Sequence, residues 1–133
     1  MYKSIIKGLG YYVPENVVTN NDLTKMMDTS DEWIRERTGI EERRWVNDNK
    51  LSTSLMGTFA AEKAIKNANI DKNDIDFIIF ATLSPDYYFP GSGVLLQRNL
   101  DIKEVGALDV RNQCSGFVYA LSIADQYIKS GMY

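Results

Sequence analysis

Histidine is absent from this chain of 133 residues, and cysteine occurs once, at Cys114. Without an imidazole the chain holds no Ser–His or Cys–His catalytic pair and no histidine-ligated metal site. One thiol excludes an internal disulfide and fits a reducing compartment, so a cytoplasmic protein is expected. Basic residues are not in excess: 15 Lys and Arg stand against 18 Asp and Glu, a net charge of −3. A nucleic-acid surface would show the opposite balance. Long apolar runs are missing too. Lys7 interrupts the short apolar opening, so no secretory core is present, and nothing approaches the ~20 residues of a membrane span.

What is present reads as a globular α/β protein. Hydrophobic residues make up 44% of the chain and charged residues 25%, ordinary values for a domain with a core. Residues 5–13 read as a strand ended by Pro14. Thr19-Asn20-Asn21-Asp22 caps a short helix toward Met27, and Thr29-Ser30-Asp31 offers a cap for the stretch around Trp33. Ser52-Thr53-Ser54 opens a stronger helix whose Met56, Ala60, Ala64 and Ala68 form a small-residue face suited to close packing on a sheet. Residues 76–82 and 105–110 read as strands, with a short helix through Leu95, Leu96 and Arg98 between them. The last helix is apolar nearly all round through Phe117, Val118, Leu121, Ile123 and Ile128, which predicts burial between layers, and Gly131 is its C-cap. A buried helix after a parallel strand normally returns into another strand, so residues 1–133 are expected to be one part of a larger fold. No linker or repeat marks a domain boundary inside them.

Three groups of residues invite a functional reading. Cys114 lies in Asp109-Val110-Arg111-Asn112-Gln113-Cys114-Ser115-Gly116-Phe117, between a strand and a helix. A helix N-terminus favours thiolate over thiol, which suits a nucleophile; a buried core cysteine is the alternative. Trp33 and Arg37 are four apart, so in a helix an indole and a guanidinium share one face. That pair can stack on a purine and neutralise phosphate, or the Trp can simply pack under its own Arg. Arg43 and Arg44 add positive charge nearby. Gly8-Leu9-Gly10 fails as a dinucleotide fingerprint, because Val13-Pro14 cannot open the required helix. Gly91-Ser92-Gly93 fits a plain turn better than an anion site. The adjacent acids Asp31-Glu32 and Glu41-Glu42 read as solvated surface.

Asp28-Thr29-Ser30-Asp31-Glu32-Trp33-Ile34, Arg37-Thr38-Gly39-Ile40 and Cys114-Ser115-Gly116-Phe117-Val118-Tyr119-Ala120-Leu121, in this order and spacing, resemble the N-terminal half of the β-ketoacyl-acyl carrier protein synthase III family of the thiolase superfamily. The resemblance runs along nearly the whole chain. It implies a thiolase-like α/β fold, in full form a mixed five-stranded sheet layered between helices. It also implies a decarboxylative Claisen condensation of an acyl-coenzyme A primer with malonyl-acyl carrier protein, initiating fatty-acid synthesis in a homodimer, with no further cofactor or metal. Carried over, Cys114 is the acylated nucleophile, and Thr29, Trp33 and Arg37 hold the nucleotide end of coenzyme A. Phe89 reaches the partner subunit's acyl pocket; an ordinary core aromatic before Pro90 is the other reading of that residue. Gln113 departs from the small residue the family commonly carries beside the nucleophile. The family completes its site with a His, an Asn and a Gly-rich loop from its second half, so this stretch alone is expected to be inactive. A related thioester enzyme with another primer or acceptor, and a non-catalytic module that binds coenzyme A or dimerises, are the alternatives.

Overall fold

The computed structural model describes residues 2–47 and 50–133, and within them the chain divides into two compact units. One unit is Val13–Leu51; the other joins Met1–Tyr12 to Ser52–Tyr133.

In the smaller unit, strand β1 (Val17–Thr19) pairs antiparallel with β2 (Glu42–Arg44), Val18 standing opposite Arg43. Neither strand was expected from the sequence, since three residues are too few to show an alternating pattern. Helix α1 (Asn20–Leu23) begins at Thr19, whose hydroxyl and backbone N–H exchange hydrogen bonds with Asp22 in a capping box. It stops short of Met27, and the chain continues to that residue as a turn. Helix α2 (Asp31–Thr38) is capped by Ser30 and closed by Gly39 at φ 70°, a left-handed position that glycine adopts without strain. Val18, Leu23 and Ile34 form the apolar core. So small a core gains support from a polar hub beneath it. Asn20, 1% exposed, donates to Asp31 (2.8 Å) and to the Ile40 carbonyl (2.8 Å), and accepts from Arg43 (2.7 Å).

The larger unit is built on a parallel pair, β3 (Phe77–Ala81) and β4 (Gly106–Val110), in register from Phe77 with Gly106 to Ala81 with Val110. Helix α3 (Thr53–Ala68) precedes a 3-10 turn at Lys72–Asp74. Helix α4 (Ser92–Leu100) makes the crossover between the strands, and α5 (Gly116–Ser130) follows β4. Alternation along β3 sorts its side chains. Ile78 and Phe80 pack with Leu96, Leu100, Ala61 and Ile65 of α4 and α3, while Phe77 and Ile79 turn to α5.

Residues 5–13 depart from the expected strand: no ladder forms there among the described residues. The segment lies along α3 instead. A Cβ at Gly8 or Gly10 would meet the α3 backbone at Ala64 and Ala68 or at Ala60 and Ala64. The Ala face of α3 therefore packs closely, against glycine backbone. The carbonyls of Leu9 and Tyr11 accept from Asn67 (2.8 Å) and Lys63 (3.1 Å). A second correction concerns α5. It is capped by Gly131 as expected, but it is not buried between layers. Phe117 (65%), Val118 (62%), Tyr119 and Leu121 are exposed, because the sheet covers only one side of the helix.

Candidate functional site

Because β3 and β4 run parallel, the segments that follow them leave from the same edge of the sheet. The amide of Thr82 donates to the Val110 carbonyl (3.1 Å), extending the pairing by one step at that edge. In α/β sheets the C-terminal strand ends are where ligands gather. The segment after β3 carries Phe89, and the one after β4 carries Cys114.

Three helices also begin near this edge, and the sequence equips them differently. Asp86 accepts from the Ser54 amide at the start of α3 (3.0 and 3.1 Å) and from the hydroxyl of Ser92, which is fully buried at the start of α4 (2.8 Å). Partial burial works to raise the Asp86 pKa, but hydrogen bonds from Ser52, Ser92 and Ser54 prevail and hold it below the ordinary carboxylate value. Asp109, on β4, accepts from the Gly93 amide (3.1 Å) in the first turn of α4. That contact takes the N–H an anion at Gly91-Ser92-Gly93 would need, and Ser92 and Gly93 form the first turn of α4 rather than the plain turn expected there.

In α4 and α5 alike the N-cap residue makes no side-chain cap hydrogen bond, but α4 has the Asp109 carboxylate on its first turn instead. Ser115 Oγ turns back to Asn112 (3.3 Å), and the Gly116 amide bonds the Gln113 carbonyl (2.9 Å), closing a tight turn. Within these residues Cys114 sits exposed on that turn. The positive end of a 15-residue helix, uncapped by any side chain, favours negative charge on sulfur or on a carbonyl oxygen bonded to it. Gln113 is exposed as well. Within these residues Phe89 is 87% exposed, and Tyr88 beside it is 89% exposed. An apolar groove of about 480 Å³ runs between α5 and β3, lined by Phe77, Ile79, Phe117, Leu121 and Ile128. Cys114 does not line it, so the groove does not mark the thiol.

In the smaller unit, α2 brings Trp33 and Arg37 together. The guanidinium lies 4.5 Å from the indole centroid and donates to the Trp33 carbonyl (3.4 Å), while the indole stays about half exposed. Thr29 is half-buried just ahead of the Ser30 cap. Arg43 is not a free cation, because it donates to Asn20 and to the Val18 carbonyl (3.2 Å). Arg44 pairs with Glu42 (3.6 Å). Asp31 also accepts from Asn20 in the polar hub while its side chain stays partly exposed, and Glu32, Glu41 and Glu42 are exposed.

Sequence reasoning missed Asn20, Asp86, Asp109 and Arg111, whose partners lie far along the chain. For Asp86 a signal existed: Ser84-Pro85-Asp86 is turn chemistry ahead of a helix start. Among the described residues, no group of three or more His, Cys, Asp or Glu is placed to hold a metal ion, and no helix is long and apolar enough to cross a membrane.

Comparison with known proteins narrows the chemistry. Residues 108–133, which hold Cys114 and α5, match the family model for 3-oxoacyl-[acyl-carrier-protein (ACP)] synthase III. The chain is 53% identical over 131 residues to the β-ketoacyl-[acyl-carrier-protein] synthase III of Ehrlichia canis, covering 98% of this chain and 41% of that protein. It superposes on the crystal structure of 3-oxoacyl-[acyl-carrier-protein] synthase III from Aquifex aeolicus VF5 with a TM-score of 0.91 at 49% identity, covering 98% of this chain and 41% of the other. The priming β-ketosynthase of the R1128 polyketide biosynthetic pathway is also similar, with TM-score 0.88, 32% identity, and coverage of 95% and 37%. The chain thus spans about two-fifths of the length of the relatives it matches.

Proposed function

We propose, from the chain's membership of the β-ketoacyl-[acyl-carrier-protein] synthase III family, that it carries the nucleophile and the coenzyme A-binding helix of an acyltransferase that starts fatty-acid synthesis. Residues 1–133 are on this reading the N-terminal half of a thiolase-fold condensing enzyme, cytoplasmic and homodimeric. The observation that carries the proposal is Cys114, exposed at the uncapped N-terminus of α5 at the C-terminal edge of a parallel sheet.

The Cys114 thiolate attacks the thioester carbonyl of an acyl-coenzyme A. An S–C bond forms, the C–S bond to coenzyme A breaks, and coenzyme A leaves as a thiolate that takes up a proton. Malonyl-acyl carrier protein then loses carbon dioxide, and the resulting enolate carbon attacks the acyl-cysteine carbonyl and displaces the Cys114 thiolate. Both steps place negative charge on oxygen, and each donor aimed at such an oxygen contributes about 3–4 kcal/mol. The α5 N-terminus can serve the acyl oxygen. The enolate needs side-chain donors, and with no histidine in these residues an imidazole donor has to come from elsewhere in the longer enzyme. Trp33 stacks the adenine and Arg37 neutralises phosphate, with Thr29 beside them. Phe89, held out from the fold, enters the partner subunit's acyl pocket.

The test is transfer of an acyl label from acyl-coenzyme A to the intact protein. Cys114→Ala should abolish it, and full labelling of that variant overturns the assignment. A priming enzyme with another primer is the second reading, favoured by the similarity to the R1128 ketosynthase. A panel of acyl-coenzyme A primers separates the two.

A further inference from the structure

The segment of residues 82–91 is pinned near its base at several points. Thr53 donates to the Ser84 carbonyl (2.7 Å), and Asp86 joins the starts of α3 and α4. The tip, Tyr87 to Phe89, projects outward. One contact runs from this tip to the other segment at the same edge. Arg111, the first residue after β4, donates through Nη2 to the Tyr88 carbonyl (2.5 Å), and its guanidinium lies 5.0 Å from the Tyr88 ring centroid. Tyr88 adjoins Phe89, and Arg111 stands three residues before Cys114.

We infer that Arg111 is a positioning residue that couples the aromatic tip to the cysteine turn, so that displacement of the tip is felt at Cys114. The planar guanidinium suits this task, since it can hold a carbonyl in its plane and a ring against its face together. A lysine can make the hydrogen bond alone. The turn of residues 111–115 is short, and β4 fixes its start while α5 fixes its end. A pull on Arg111 therefore has few backbone torsions in which to dissipate before Cys114. The sequence alone marks Arg111 only as a charge beside the nucleophile run.

The functional meaning of this coupling rests on Cys114 being the nucleophile, but its physical test does not. In the intact protein, amide hydrogen exchange over residues 83–90 and the rate of iodoacetamide alkylation, read on the peptide carrying Cys114, are measured for wild type, Arg111→Ala, Arg111→Lys and Tyr88→Ala. Arg111→Ala should speed exchange at the tip several-fold and change the alkylation rate at least threefold. Arg111→Lys and Tyr88→Ala, each keeping one of the two contacts, should fall between it and wild type in both readouts. Unchanged exchange at the tip in Arg111→Ala overturns the tether. Faster exchange with an unchanged alkylation rate overturns the coupling. Should Arg111→Ala not fold, the two milder variants decide by the same criteria. Acyl transfer from acyl-coenzyme A, run in parallel, reports on the nucleophile separately: no label on wild-type Cys114 removes that role and leaves the tether result standing.

Discussion

At the scale of single residues, the side chains proposed for the chemistry lie where few contacts constrain them. Cys114, Trp33 and Phe89 are all exposed, and exposure of a thiol or a large aromatic is informative where a buried one is not. The place of Cys114 at a strand-to-helix junction was legible in the sequence, and the structure puts it between β4 and α5. The Trp33–Arg37 pair was legible because its spacing fits a helix, and the helix forms. Ala substitution at Trp33 or Arg37 should raise KM for acyl-coenzyme A more than it lowers kcat, the pattern expected when binding is lost equally from ground and transition states. An unchanged KM in both variants would return the pair to surface packing. Asn20 was not legible, since nothing near it in sequence reveals that its amide meets Ile40 and Arg43. Its truncation leaves buried donors and acceptors without partners, at about 1–3 kcal/mol for such groups. Asn20→Ala should therefore lower the denaturation midpoint clearly, while exposed Asn21→Ala should change it little.

At the scale of elements, several helix boundaries followed local chemistry and were readable: Thr19, Ser30 and Ser52 cap and Gly131 closes, whereas the closures at Gly39, Asn69 and Asp101 were not read. Strands were less so, because a strand is a statement about its neighbour. Strands β3 and β4 formed where the apolar runs stood, β1 and β2 paired where the sequence showed no such run, and residues 5–13, equally apolar, formed no ladder among the described residues. Their glycines matter for a different reason. Gly10→Ala would drive a methyl group into the α3 backbone, so overpacking of about 1–3 kcal/mol is expected, visible as a lowered thermal midpoint. The caps at the sheet edge come from far away in sequence, which hid them. Asp86→Asn should destabilise by about 0.5–2 kcal/mol, as for loss of a helix cap. Its pH signature has a definite sign. The folded pKa lies below the unfolded one, so the folded protein binds fewer protons between the two values. The stabilisation is then complete at neutral pH and is lost as pH falls below about 4. Wild type and Asp86→Asn should differ in stability at pH 7 and converge in acid. A gap that persists unchanged down to acid pH would mean that the charge contributes nothing.

At the scale of the whole molecule, what matters is how much apolar surface these residues leave open. Tyr2, Ile5, Ile6, Leu9 and Tyr11 are each more than two-thirds exposed, and the first turn of α5 carries Phe117, Val118 and Tyr119 into solvent. Helix α5 has the composition of a helix covered on every side, and within these residues the sheet supplies cover on one side only. Large apolar side chains left open in this number mark places where other protein packs, and about three-fifths of the matched relative's length lies outside the stretch this chain covers. A polypeptide of these 133 residues alone should consequently self-associate, with dye binding to exposed apolar surface and a sedimentation profile heavier than one copy. It should also release no carbon dioxide from malonyl-acyl carrier protein, because these residues supply no histidine to the enolate and each missing donor removes about 100- to 1000-fold in rate. The two expectations are separable. A monomeric polypeptide that fails to decarboxylate would remove the packing argument and keep the chemical one. A 133-residue polypeptide, verified by mass, that turns over malonyl-acyl carrier protein would show that condensation proceeds without the donors from outside this stretch.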